Sequence, residues 1–539
     1  MEFEFKPLSL LKIKANITTL PLDVYRIIQK YTSINCLLLV CKSLTPVVRS
    51  CYHLNLNEEG SRYYYEDVEF RNYLNFKYLE NCSLQLSLNF SSNFNIDMKV
   101  INAIVPNLHS LSICNNHLIK NVSILNNIHI LNLSGCFQLK QLNSLFKLHT
   151  VNLSETSISD VTSLKDVYSL ELVDCENLID ISPLCNVHYL NLSGCENILN
   201  IISLINVHTL NVYGCDRISD VSTLGGLHSL NLGGCIKVSN VTNLYNLYSL
   251  VLCCCEKVID VSMLGGLYHL DLCGCNRITD VSNLGKIHDL GLTGCDSVVD
   301  ISALGNVYSL TLSDCEQITN IESLTGVTVL DLTGCTGITN ITPLASVSQL
   351  NLTGCTGITN ISALNSVQEL DLSDCIGVTE VSCLKYVKEL NLSRCNITNV
   401  SNLGLGTVKE LCLSGCLSIT DVSALGSVHT LDLSRCTNII DVSALGSVYC
   451  LNLSRCNKII DVSALGSVYD LQLEKCSGIV DVSALGSVHT LNLSWCANVI
   501  KVDMLYNVQD LNLNYCKNIM DISTLSSVPK LSIIGCKNI

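Results

Sequence analysis

One block, Leu-x-Leu-x-x-Cys, recurs through most of this 539-residue chain and constrains its fold more than anything else in it. Its first apolar residue stands at Leu131, Val151, Leu170, Leu190, Leu210 and so on to Leu531, 400 residues in 20 steps, and a further copy begins at Leu111. Two steps deviate: Val151 to Leu170 is 19 residues and Leu390 to Leu411 is 21. A typical unit runs from Val428 to Ser447, and its second half, Asp-Val-Ser-Ala-Leu-Gly-Ser-Val, appears unchanged from Asp421, Asp441, Asp461 and Asp481. Such identity is what duplication of whole units leaves behind. At roughly 150 residues per domain the length alone would suggest three or four globules, but a fixed period of this size means stacked units instead.

Within a unit the apolar pattern has two parts. Leu431 and Leu433 alternate with Thr430, Asp432 and Ser434, a period of 2 that predicts a short strand with the leucines inward. Ile439, Val442 and Leu445 then supply further inward side chains around a coil too short for a full α-helix, so the far side is expected to be 3-10 or extended. No unit can bury its leucines alone, and stacking on neighbours closes the core. Over residues 108–539 this pattern resembles the leucine-rich repeat signature L-x-x-L-x-L-x-x-N/C-x-L, in about 21 units of 20 residues. The resemblance implies an α/β leucine-rich repeat solenoid, with a parallel β-sheet on the concave face and a short 3-10 or extended convex side.

Composition narrows the function. Acidic residues outnumber basic ones 47 to 32, giving a net charge of −15, and a phosphate backbone would be repelled, so no nucleic-acid partner is expected. Mean hydropathy is +0.38, yet polar residues interrupt every few positions and no stretch approaches the ~18 apolar residues of a membrane span. Met1–Pro7 lacks the basic-then-apolar pattern of a secretory signal. The 32 cysteines are spread along the chain rather than packed into a short disulfide scaffold, so a reducing cytoplasm or nucleus is expected, not secretion.

Twenty-one of those cysteines form a ladder at the strand end: Cys114, Cys136, every 20 residues from Cys175 to Cys395, and every 20 from Cys416 to Cys536, with Thr156 as the one substitution. Buried cysteine behaves as a small hydrophobe, so a thiol facing a carbonyl is expected here rather than a metal or redox array. A second ladder, Asp160, Asp180, Asp220, Asp260 and Asp441, precedes Val/Ile-Ser/Thr and suits turn capping; its spacing fits neither an EF-hand nor a nonapeptide calcium repeat. Cys253 and Cys273 share an outward position on adjacent rungs, but His269 lies too far along the strand to complete a tetrahedral zinc site. A third ladder is His or Tyr, as at His188, His208, Tyr248 and His288. A Ser-His-Asp set can be drawn at almost any rung, and no rung distinguishes a nucleophile, so no enzyme, metal or cofactor is expected.

Recognition should fall on the outward strand positions, mostly Asn, Asp, Ser and Thr, as in Asn191, Asn211, Asn231, Asp271, Asp331, Asn351 and Asp371. Departures from that consensus carry more information. The residue before the ladder cysteine is usually Gly or Asp, but from residue 394 onward it reads Arg394, Gly415, Arg435, Arg455, Lys475, Trp495 and Tyr515. These form a candidate target-binding ridge, basic then aromatic, and Arg and Trp are frequent hot-spot residues. An acidic row, Glu369, Glu389, Glu410, Asp470 and Asp510, precedes the first strand leucine.

Residues 1–52 lack the repeat. Pro21 near a helix start, Asp23 in the first turn and apolar Val24, Ile27, Ile28 and Tyr31 suit an amphipathic helix, and a second holds Leu37, Leu38, Val40, Cys41 and Leu44. The segment from Leu20 to Leu44 resembles the F-box family, with its Leu-Pro-x-Asp/Glu-Val/Ile opening and Leu-Leu-x-Val-Cys-Lys close; Leu44 stands where that pattern has Trp. The resemblance implies that Leu20, Pro21, Val24, Ile27, Ile28, Leu38, Val40 and Cys41 dock the Skp-type adaptor of a cullin–RING ubiquitin ligase while the repeats hold an unknown target protein. The plainer alternative is an interaction scaffold in which this segment only caps the stack. Residues 53–107, with His53-Leu54-Asn55-Leu56 and Leu84-Gln85-Leu86 as degenerate strands, are expected to begin the solenoid irregularly.

Overall fold

Twenty residues leave room for one short strand, one turn and one short return segment, and each rung is built that way. The computed structural model describes residues 53–68, 85–90, 108–120, 122, 128–140, 142, 148–403 and 406–536. In a representative rung, Thr430–Asp432 is a strand and Ser443–Ser447 a 3-10 segment. Seven side chains of that coil point inward, Leu431, Leu433, Cys436, Ile439, Val442, Leu445 and Val448, none more than 1% exposed. At about 1.5–3 kcal/mol for each fully buried large aliphatic residue, this inward set dominates the stability of every rung.

The chain divides into two units, 1–218 and 219–539. In the first, β1 (His53–Asn55), β2 (Gln85–Phe90), β3 (Leu108–Ile113) and five three-residue strands ending at Thr209–Asn211 pair in parallel, each with the next. Helix α1 (Glu58–Glu66) packs beside β2: the Ser61 hydroxyl accepts a 2.8 Å bond from the Asn89 N–H, and Tyr64 and Phe90 are buried. The described residues of the second unit hold sixteen strands, Ser229–Asn231 to Lys530–Ser532, again parallel and in sequence order. Each unit is thus a leucine-rich repeat solenoid with strands on one side and 3-10 turns on the other. The F-box-like segment lies outside the described residues.

Register is kept where the period slips. Across the 21-residue step, Glu389 pairs with Glu410 and Leu390 with Leu411; across the 19-residue step, Val151 pairs with Leu170. The length differences are absorbed away from the strands, because a one-residue slip in pairing would turn every inward leucine to solvent.

Candidate interaction surface

The consensus polar residue of the strand proves to build the turn. Asn191 Oδ1 accepts from the Ser193 N–H at 3.1 Å, Asn211 from Tyr213 at 3.0 Å, Asn231 from Gly233 at 2.9 Å and Asp271 from Cys273 at 3.0 Å. Asp331, Asn351 and Asp371 do the same for Thr333, Thr353 and Ser373 at 2.8, 3.0 and 2.8 Å. An Asx side chain that bonds the backbone two residues on is a standard turn former. The uniform Asn/Asp character of the strand face therefore follows from turn geometry, which the sequence reading had assigned to recognition.

The next residue but one after the capped N–H's predecessor, the one before the ladder cysteine, is left-handed on rung after rung. Ten of these positions are Gly with φ between 63° and 77°, and Arg394, Arg435, Arg455, Lys475, Trp495 and Tyr515 adopt φ of 58° to 65°. Asn115, Glu155, Asp174, Cys254, Asp314 and Asp374 share it; L side chains enter this conformation at a cost, which is why Gly is the commonest residue there and Asp the commonest short alternative. The ridge residues are also fixed in register, since their N–H groups donate to the following rung: Arg435 to Ser454 O at 2.8 Å, Lys475 to Ser494 O at 2.9 Å and Trp495 to Asn514 O at 2.8 Å.

The structure divides the ridge. Arg394 is tied back to Asp374 of the preceding rung, its Nε 2.6 Å from Oδ1, and Gly415 separates it from the rest. Arg435, Arg455, Lys475, Trp495 and Tyr515 occupy five successive rungs. Lys475 Nζ lies 5.4 Å above the Trp495 ring and 2.5 Å from Glu474 Oε1. Trp495 stacks on Tyr515 at 4.3 Å and 18°. Gly535 closes the line, because a Cβ there would meet the Tyr515 ring at 2.5 Å. Lys475, Trp495 and Tyr515 thus each lean toward the next rung, yet 42% of Trp495 and 38% of Tyr515 remain exposed.

On the rungs ahead of the Arg435–Tyr515 run the strand face carries a groove of about 680 Å³, running from Leu310 to Asp432. Glu369, Glu389 and Glu410 stand in register along it, and all three are exposed. Asn391 Nδ2 donates to Asp371 Oδ2 at 2.7 Å lower in the same groove. Asp470 and Asp510, the other members of the acidic row, lie on later rungs, and Asp510 is paired with Lys530 at 2.5 Å.

The remaining ladders are structural. Ladder thiols donate to a carbonyl one rung back, as Cys195 does to Leu172 O at 2.9 Å, Cys215 to Leu192 O at 3.2 Å and Cys436 to Leu413 O at 3.0 Å. Burial pushes these thiols up, Cys195 to about 12, so they stay protonated and inert as nucleophiles. Cys114 proves not to belong to the ladder, being half-buried beside the Ser112 hydroxyl at 3.6 Å, and Asn116, 1% exposed, takes the buried position of its rung. Asp160, Asp180, Asp220, Asp260 and Asp441 cap the N–H two residues on at 2.9 to 3.0 Å. These hydrogen bonds, from hydroxyl and N–H alike, hold the carboxyls below the ordinary range. The His/Tyr ladder forms ring stacks, for example Tyr248 on Tyr268 on His288 on Tyr308 at 4.4 to 4.7 Å.

One pair escaped the sequence reading. His269 Nδ1 sits 2.8 Å from Asp289 Oδ2 on the adjacent strand, with both at the first strand position. The signal was legible as two titratable residues exactly one period apart, but only parallel register makes that spacing a contact. Cys253 donates to Asp271 Oδ2 at 3.0 Å, and no group of three or more His, Cys, Asp or Glu among the described residues is arranged to hold a metal ion. No helix among the described residues is long and apolar enough to cross a membrane. Leu20, Pro21, Val24, Ile27, Ile28, Leu38, Val40 and Cys41 lie outside the described residues.

No family model matches the chain, and no curated protein does. Among solved structures, it is similar to an internalin, InlF, from Listeria monocytogenes, with 20% identity, 70% of this chain and 88% of that one covered and a TM-score of 0.28. It is similar also to the functional domain of InlJ from Listeria monocytogenes, which includes a cysteine ladder, at 18% identity, 62% and 70% coverage and a TM-score of 0.37. A third is a leucine-rich repeat protein of Leptospira interrogans, at 16% identity, 65% and 84% coverage and a TM-score of 0.33. The chain's own architecture, one parallel strand, one left-handed turn and one return per 20 residues that is 3-10 on most rungs and a simple turn on the others, is that of the leucine-rich repeat fold.

Proposed function

We propose that this is a non-catalytic protein-binding scaffold of the cytoplasm or nucleus, and that its N-terminal segment makes it a substrate receptor of a Skp–cullin–F-box ubiquitin ligase. One observation carries the binding role. In the four units sharing Asp-Val-Ser-Ala-Leu-Gly-Ser-Val, the strand leucines and ladder cysteine are identical, while outward positions read Thr430, Cys450, Asp470, Thr490 and Arg435, Arg455, Lys475, Trp495. Duplication has kept what packs and varied what faces a partner. Free, buried thiols on successive rungs accord with a reducing compartment.

The ligase link rests on the F-box-like residues Leu20 to Leu44. Its mechanism is proximity: a chain that holds both adaptor and target raises the effective concentration of the reacting groups without chemistry of its own. A pull-down of the full chain on immobilised Skp-type adaptor, beside a truncated chain beginning at Glu58, tests it. Binding by the full chain alone supports the receptor. Binding by neither leaves a scaffold whose first 52 residues only cap the stack.

A further inference from the structure

We propose that Arg435, Arg455, Lys475, Trp495 and Tyr515 form a docking ridge for one kind of partner: an extended acidic peptide segment that ends in apolar or aromatic side chains. The inference deepens the protein-binding reading and rests on it. Its starting point is the backbone. Five successive rungs place long side chains in a left-handed conformation that L-residues enter at a cost, where ten of the other rungs have Gly and the remaining seven, Arg394 aside, have mostly short polar residues such as Asp174, Asp314 and Asp374. Turn formation needs none of these side chains, since Gly334, Gly354 and Gly415 make the same turn.

The charges are arranged for an outside partner. Arg394 is neutralised by Asp374 and Lys475 by Glu474, but neither Arg435 nor Arg455 makes an ion pair or side-chain hydrogen bond with any described residue. Both guanidiniums are exposed and sit one rung apart, about 5 Å by strand spacing, so each repels the other until an anion lies across them. A carboxylate meets a guanidinium through two parallel N–H···O bonds, which is the geometry this pair leaves open.

The other end of the ridge is built for apolar contact. Lys475 covers one end of the Trp495–Tyr515 stack and Gly535 the other, so the two rings form a shelf whose position is held from both sides. Large rings fixed in advance lose little freedom on binding, and such anchors carry much of the energy of small interfaces. From Arg435 to Tyr515 is four rung steps, about 19 Å, which about six residues of extended peptide span at roughly 3.3 Å each. Acidic side chains fall on Arg435 and Arg455, and apolar ones on the Trp495–Tyr515 shelf. Nucleic acid fits this ridge worse: its charge repeats at every residue, past the two free arginines and onto the Trp495–Tyr515 shelf, where a peptide that turns from acidic to apolar carries none.

Trp495 is the only tryptophan of the chain, so its emission reports on the ridge alone. The full chain is titrated with a capped hexapeptide of four glutamates followed by leucine and phenylalanine. The expected result is a saturable change in Trp495 emission that weakens as salt rises and falls roughly tenfold or more in affinity in the Arg435→Gln/Arg455→Gln double variant, whose fold is checked by circular dichroism. The proposal is overturned by the absence of a saturable change, by an equal response to the same peptide with lysines for glutamates, by undiminished binding in the double variant, or by a tighter response to a hexauridine oligomer. Adaptor binding measured on the same samples is independent of the ridge, so loss of the peptide response with adaptor binding intact removes the ridge and leaves the scaffold standing.

Discussion

Replacing Arg455 by glycine should stabilise the rung that carries it. Arg455 has φ of 65°, a conformation that costs an L-residue about 1.5 kcal/mol and a glycine almost nothing. Against that gain, glycine adds about 0.7 kcal/mol of freedom to the unfolded chain. Removing a charge between Arg435 and Lys475 relieves about 0.3 kcal/mol of screened repulsion. The balance is a net stabilisation of about 1 kcal/mol. Arg455→Ala is the informative companion: it removes the same charge but keeps a Cβ in the left-handed turn, so its stability should stay within about 0.5 kcal/mol of the parent. Repeat arrays need not unfold in one step, so hydrogen exchange of the amides from Leu451 to Cys456 reads the effect where it occurs. Slowing by roughly fivefold in the glycine variant, and not in the alanine variant, is expected for about 1 kcal/mol. A glycine variant no more protected than the alanine variant would refute the claim that the ridge is held at a conformational cost.

Two further outcomes follow from the ladders. Cys315 is fully buried and its thiol donates to Leu292 O at 3.1 Å, but that carbonyl also accepts the Cys295 N–H at 3.1 Å; Cys315→Ala therefore leaves no orphaned acceptor and should cost only about 1 kcal/mol in urea unfolding, with peptide binding at the ridge unchanged. Asp441, Asp461 and Asp481 have carboxyls lowered by their bonds to the Ser443, Ser463 and Ser483 groups, so their contribution is present above the unfolded value near 3.9 and is lost as pH falls through the lower folded value. Asn340 makes the same cap without a titrating group, at 3.1 Å to the Thr342 N–H. Replacing the three aspartates by asparagine should thus leave the melting temperature at pH 7 nearly unchanged and flatten its decline between about pH 5 and pH 3, as followed by circular dichroism; an unaltered decline would show that other carboxylates govern acid unfolding.

Much of the molecule was legible before any coordinate. The period of 20, the alternation of Leu431 and Leu433 and the run Ile439, Val442 and Leu445 specify a stacked parallel-strand coil, because no single unit can hide that many aliphatic side chains. The buried cysteine ladder and the Asp-capped turn were readable for the same reason: a residue type repeated at one phase must meet one environment. Val448, the seventh inward position, was not singled out, since a valine just before a strand reads equally well as its first residue.

What the sequence by itself determined is the periodic part, in which every rung repeats one local solution and spacing alone implies contact. Only the tertiary structure decided how individual departures from that period use it. It showed that Asn191 and its equivalents are turn formers, that the position of Arg435 and Trp495 is left-handed, that Arg394 is spent on Asp374 while Arg455 is not, and that His269 meets Asp289. The physical reason is that a backbone dihedral and a side-chain partner depend on what the neighbouring rung presents across about 5 Å, and in one dimension that neighbour is twenty residues away.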